Sequence, residues 1–333
     1  MATSLAEIRA KLQAQDTHTT SNTSTGDNGI YAHWNIAEGT TARVRFLPDA
    51  NTKNTFFWVE RLMIKLPFAG IKGQSDSKPV IVQVPCVEMY GDACPILAEV
   101  RPWFKDKTDT TMNDLGRKYW KKKSYLFQGL VRDNPMSDEK TPENPIRRFV
   151  ISPQIFNLVK NALMDTELEN LPTDYQGGLD FNIKKTSKGG YSDYSTSTWA
   201  RKESALTSEE IKAIDTYGLY NLADFLPKRP GETEIGIIKE MFEASVNGEA
   251  YDGDRWAQYF KPVGLNNNNS QSASSAPKPA PKSSVVEDVI ASVVADIEAD
   301  DAPFETVKAP VQAKPSNARA EDILAMIRNR QKQ

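Results

Sequence analysis

The chain has 333 residues, of which 39% are hydrophobic and 26% charged, with 41 basic side chains against 44 acidic ones and a formal charge of −3. No apolar run reaches the roughly 18 residues of a membrane helix, and Glu7, Arg9 and Lys11 interrupt the N-terminal apolar pattern where a signal peptide needs an unbroken centre. Two cysteines, Cys86 and Cys94, cannot form a disulfide scaffold and suit a reducing compartment.

In chain order, residues 1–28 read as an arm. Ser4 and Glu7 have capping-box spacing, and Leu5, Ile8 and Leu12 recur at helical intervals before a Thr/Ser/Asn/Gly run too polar to pack. The body is expected over 29–264. Ala42-Arg43-Val44-Arg45-Phe46-Leu47 alternates and stops at Pro48, which predicts a strand with a basic face. Further strands are predicted over Phe56–Leu66, Val80–Val84, Ser124–Arg132 and Ile146–Ile151. A helix follows, opened by Ser152 as N-cap and Pro153 in its first turn, with Ile155, Leu158, Val159, Ala162 and Leu163 on one face. Leu179, Phe181 and Ile183 alternate with polar residues as a half-buried strand, and Lys188-Gly189-Gly190 predicts a hairpin turn into Tyr191. From Thr207 to Phe260 the pattern is mainly helical. Several strands around one or two helices suggest a small barrel, mainly β with α additions. A Ser/Ala/Pro/Lys linker is expected over 265–283. The tail, 284–333, carries an acidic amphipathic segment and then Ile323, Leu324 and Ile327 ahead of Arg328 and Arg330; neither piece has a core of its own, so both suit folding against a partner.

Charge is segregated along this plan. The stretch from Lys282 to Glu305 is acidic, whereas Arg117, Lys118, Lys121, Lys122 and Lys123 fall close together with no acid among residues 117–123. The second group runs into Tyr125 and Phe127, beside Tyr119 and Trp120. Lysines neutralise phosphates and flat rings accept any base, so the interleaving suits single-stranded nucleic acid; the same residues also read as core rings with a solvated lysine edge. A second cluster joins Lys184, Lys185, Lys188, Tyr191 and Tyr194, and Arg43, Arg45, Arg147 and Arg148 beside Phe149 extend the basic character. Two such clusters opposed to an acidic arm favour nucleic-acid binding. No Gly-rich phosphate loop, metal-type carboxylate motif or nucleophile elbow occurs, so no enzyme activity is expected. Cys86-x7-Cys94 lacks the partners of a four-ligand zinc site.

Four stretches in order, Ala42-Arg43-Val44-Arg45-Phe46-Leu47-Pro48, Gly91-Asp92-Ala93-Cys94-Pro95, Lys121-Lys122-Lys123-Ser124-Tyr125 and Gly189-Gly190-Tyr191-Ser192-Asp193-Tyr194, resemble the helix-destabilising single-stranded-DNA-binding proteins of T-even-type bacteriophages across roughly residues 30–250. The resemblance implies an OB-fold-like barrel core with a helical subdomain and flexible N- and C-terminal arms. It implies cooperative coating of single-stranded DNA during phage replication, recombination and repair, in the cytoplasm of an infected bacterium. By position, Lys121, Lys122 and Lys123 line the basic groove and Tyr125, Phe149, Tyr191 and Tyr194 become DNA-facing rings; Arg43, Arg45, Lys184 and Lys185, from the basic clusters themselves, are expected to contact the strand as well. Self-association along DNA falls to the N-terminal arm with Arg9 and Lys11, and recruitment of the phage polymerase, helicase loader and recombinase to the tail. The family's zinc site uses a histidine and three cysteines; only Cys86 and Cys94 match, Leu97 stands where the last cysteine belongs, and no cofactor is expected. The family's tail also ends acidic, whereas this one closes on Arg328, Arg330 and Lys332. An RNA-binding regulator of translation and a non-catalytic replication scaffold are the alternative readings.

Overall fold

The computed structural model describes residues 29–136 and 142–263. The expected arm at 1–28 with Arg9 and Lys11, the linker at 265–283 and the tail at 284–333 lie outside the described residues.

The expected strands form: β1 (Thr41–Leu47), β2 (Trp58–Phe68), β3 (Val80–Pro85), β4 (Lys122–Asp133), β5 (Ile146–Ile151) and β6 (Phe181–Lys184). Three short strands follow, β7 (Thr186–Lys188), β8 (Tyr191–Asp193) and β9 (Thr198–Trp199). One antiparallel sheet runs in the order β3-β2-β4-β1-β6-β9, with β5 on the other edge of β4; β7 and β8 form a separate hairpin. The described pairings leave this sheet open, so the closed barrel expected from the sequence does not form.

The long strand β4 joins its two halves. Its first half pairs with β2, Met63 opposite Lys122 through Trp58 opposite Phe127. Its second half pairs on the same edge with β1, Leu47 opposite Gln128 through Val44 opposite Val131. Arg43 then pairs with Asp133, which leaves Arg132 as an extra residue in β4. Such a bulge bends the strand and re-aims a side chain; here it turns Arg132 towards Asp180 and Glu210.

Each half of the sheet covers its own core. On one side Leu62, Ile64, Leu66 and Phe68 of β2, with Val82 and Val84 of β3, pack against α1 (Pro95–Val100), α2 (Thr110–Tyr119) and α5 (Glu232–Val246) through Ile96, Leu97, Tyr119, Met241 and Phe242. On the other, Phe46, Phe127, Phe149 and Phe181 form an aromatic core closed by Ile155, Phe156 and Val159 of α3 (Pro153–Leu163). The Ser152 hydroxyl caps α3 by accepting from the Ile155 amide, with Pro153 inside the first turn, as the sequence predicts. Helix α4 (Ser208–Tyr217) opens with a Thr207–Glu210 capping box, and α6 (Gly253–Trp256) is a single turn. Helices α1 and α2 have no counterpart among the sequence expectations; Asp109 caps α2 by accepting from the Met112 amide.

Candidate nucleic-acid interface

The basic run enters β4 between the two cores. Lys121 pairs with Glu88 at 3.0 Å and Lys123 with Glu60 at 3.7 Å, both cations partly exposed. Burial alone would raise the Glu88 carboxyl, but hydrogen bonds and charge from Lys121 and then Arg101 hold it below the usual carboxylate range. The long Lys123–Glu60 pair, with Glu60 44% exposed, is of the solvent-facing kind worth about 0–1 kcal/mol, so a phosphate can displace its acid; Lys121 and Glu88 are more covered, at 22% and 19% exposure. Lys122 points to the opposite face, where it is buried and its ammonium donates to the Arg117 carbonyl at 3.1 Å. It closes the end of α2 and does not face solvent, which removes it from the expected phosphate contacts.

Two residues beyond Lys123, Tyr125 lies flat on Phe156 of α3, ring centroids 3.5 Å apart and 11° from parallel. Only 6% of Tyr125 remains exposed, so it borders the surface as part of a stacked pair and offers no free ring face.

The second cluster is carried by the β7–β8 hairpin. Gly189 and Gly190 have φ of 64° and 85°, the left-handed pair a two-residue type I′ turn requires. The turn sets Lys188 directly opposite Tyr191, and Tyr191 is 71% exposed. Lys184 ends β6 half-buried. The Lys185 ammonium donates to the Trp34 carbonyl at 2.6 Å, which ties that lysine to the chain entering the core. Tyr194 is tucked in at 8% exposure, edge-on to His33.

Helix α3 links the two clusters. The Gln154 amide donates to Asp193 at 2.6 Å and its oxygen accepts from the Tyr194 amide at 2.9 Å, while Phe156 stacks on Tyr125. Side chains two positions apart on a helix diverge by about 200°. The lysine end of β4 and the hairpin therefore occupy opposite flanks of the first turn of α3.

Other expected contacts are structural. Phe149 is fully buried between Tyr31 and Phe46. It faces inward because both faces of the sheet are covered at β5, so it is not a DNA-facing ring. Arg45 is fully buried as well: it donates to Asp180 at 2.9 Å, to the Asp174 carbonyl at 3.3 Å and to the Ser204 carbonyl at 2.6 Å. Of the expected basic face of β1, only Arg43 reaches solvent. Arg147 and Arg148 are also interior; Arg147 donates to the Ile30 carbonyl at 2.9 Å, and the Arg148 guanidinium sits 4.0 Å from the Phe225 ring centre.

Cys86 and Cys94 are buried, reduced and in mutual contact. The Cys86 thiol and the amides of Leu97, Ile96 and Val87 donate to Cys94, which lowers its pKa, while Cys86 is pushed up. Zinc does not fit here: Leu97 fills the neighbouring space with a fully buried side chain, and among the described residues no three His, Cys, Asp or Glu gather as a ligand set. His33 packs far along the chain against Trp34 and Tyr194.

Two residues outside the sequence expectations stand out beside this surface. Phe56 is 56% exposed and stacks on Trp58, which stacks in turn on Phe127. Within the run Phe56-Phe57-Trp58 they read as the start of a strand; the Asp49, Asn51 and Asn54 turn ahead of them is the signal that separates them from it. No protein-family model matches the chain, and no curated protein does either. Among the described residues no helix is long and apolar enough to cross a membrane.

Proposed function

We propose that the chain binds single-stranded DNA with little sequence preference, coating it during replication, recombination and repair. The observation that carries this reading is Tyr191, a ring 71% exposed on the β7–β8 hairpin and set directly opposite Lys188. A ring with no role in the core, next to a cation, stacks on an unpaired base while the lysine meets its phosphate; such stacks are typically worth about 1–3 kcal/mol. The strand path we infer crosses the first turn of α3, from Tyr191, Lys188 and Lys184 to Lys121 and Lys123. Tyr125 and Phe156 form the stiff wall beneath it.

The fold reading that accompanies this is a partly open OB-type sheet, supported by one long strand shared between two half-sheets and by an aromatic core closed by a helix. The four stretches that resemble the T-even-type phage proteins favour the same function, in the cytoplasm of an infected bacterium. In this reading residues 1–28 mediate self-association and 284–333 recruit replication partners.

Changing Lys121 and Lys123 together to Ala tests the path. Binding to oligo(dT) weakens and the slope of log affinity against log salt flattens by about 1.4, at roughly 0.7 per lost phosphate contact. An unaltered slope places the strand elsewhere.

A further inference from the structure

We propose that Phe56, stacked on Trp58, is a further base-stacking step of this interface, one that takes a single unpaired nucleobase; the inference rests on the single-strand reading above. The loop between β1 and β2 holds Phe56 out of the core by design of its hydrogen bonds. Asp49 accepts from the amides of Asn51 and Leu222, each at 3.1 Å, and from the Asn54 side chain at 2.8 Å. Asn54 donates to the Trp58 carbonyl at 3.1 Å and accepts from the Phe56 amide at 3.1 Å. Asn51 accepts from the Lys53 amide at 3.1 Å. Phe57, the next residue, is buried and lies edge-on to Phe127, which anchors the loop to the aromatic core. The exposed ring is therefore held in place by a fixed turn.

The rings form a continuous ladder. Phe56 lies 4.7 Å from Trp58 at 30°, Trp58 lies 5.7 Å from Phe127 at 24°, and Phe156 meets Trp58 at 5.2 Å and Tyr125 at 3.5 Å. One face of Phe56 is taken by Trp58, and 56% of the residue is left to solvent. A flat partner of one ring's width completes that ladder. Polar Thr52, Lys53, Asn54 and Thr55 precede the ring and Phe57 beside it is buried, so Phe56 is the exposed large apolar side chain of this loop, whereas a protein interface needs about 800 Å² per partner. Charge suits a nucleotide: Lys53 is exposed in the same loop, and Lys160 is exposed one helical turn beyond Phe156. A ring on a pre-organised loop also loses little entropy on binding.

The test compares the full chain with Phe56→Ala and Phe56→Trp on oligo(dT) and on an equally long oligomer of abasic sites. Phe56→Ala is expected to weaken oligo(dT) binding by about 5- to 150-fold, to leave abasic binding and thermal unfolding unchanged, and Phe56→Trp to keep full affinity. If the parent binds oligo(dT) and Phe56→Ala binds it equally well, this inference falls and the single-strand reading stands. If the parent fails to bind oligo(dT), the single-strand reading falls and takes this inference with it. Equal losses on both oligomers, or a DNA-free self-association of the parent that Phe56→Ala abolishes, also overturn the stacking role; the second would assign the ring to another copy of the chain.

Discussion

At the scale of single residues, the basic side chains divide by burial and not by sequence neighbourhood. Arg45 and Arg132 meet on Asp180, and Arg132 also grips Glu210 at 2.7 Å. This fastens the 170–210 segment to β1 and β4. Removing one partner of a buried ion pair leaves the other uncompensated, typically at about 3–5 kcal/mol. Asp180→Ala is therefore expected to lower unfolding stability by that amount in urea, whereas Arg43→Ala, at the exposed rim, changes it little; equal effects would contradict the assignment. His33 supplies a pH signature. Burial, with a smaller push from Lys185, lowers its pKa to about 4 against a bond to the Tyr31 carbonyl that raises it. The native state keeps the ring neutral while the unfolded chain titrates near 6.5, so this contribution is complete above pH 6.5 and is lost as pH falls towards 4. The loss reaches about 2–3 kcal/mol by pH 4.5. His33→Phe, which keeps the edge-on packing against Trp34 and Tyr194, should flatten the stability profile between pH 7 and 4.5 by that amount. A profile parallel to the parent's would show that His33 is not the titrating group.

At the scale of elements, β4 decides how much could be read in advance. β6, α3 and the Gly189–Gly190 hairpin were legible because each carries a local mark: alternation, a Ser-Pro cap, a turn that tolerates only left-handed residues. The open form of the sheet was not, since closure depends on which edges meet, and no local pattern encodes it. The facing of Tyr125 and Phe149 was illegible for a related reason. Alternation separates two faces without saying which meets solvent, and over β4 and β5 both are covered. Helices α1 and α2 escaped because they are short, and α2 is polar on most of its surface. At Gly129 of β4 the backbone of β1 lies where a side chain would stand. A Cβ there would stand 2.2 Å from the Arg45 carbonyl oxygen, which is backbone and cannot swing aside. Gly129→Ala is expected to destabilise the fold by several kcal/mol or prevent its recovery as folded protein, and near-parental thermal unfolding would contradict this pairing.

At the scale of the whole molecule, two cores meet along one strand, and the proposed path runs from the lysine end of that strand across the first turn of α3 to the β7–β8 hairpin. The basic and aromatic residues expected at the interface divide: Lys122, Phe149 and Arg45 hold the fold, while Lys121, Lys123, Lys188 and Tyr191 reach the surface. Trp120 is a core residue, Trp34, Trp58 and Trp199 are half-buried, and Trp58, which carries the exposed Phe56 ring, is the reporter beside the proposed path. The most direct measurement is a titration of the full chain with oligo(dT) and with duplex of equal length, followed by tryptophan emission at two salt concentrations. The account predicts saturable quenching by the single strand, weaker binding to duplex, and affinity that falls with salt. Absence of binding to oligo(dT), or equal or tighter binding to duplex, would contradict it.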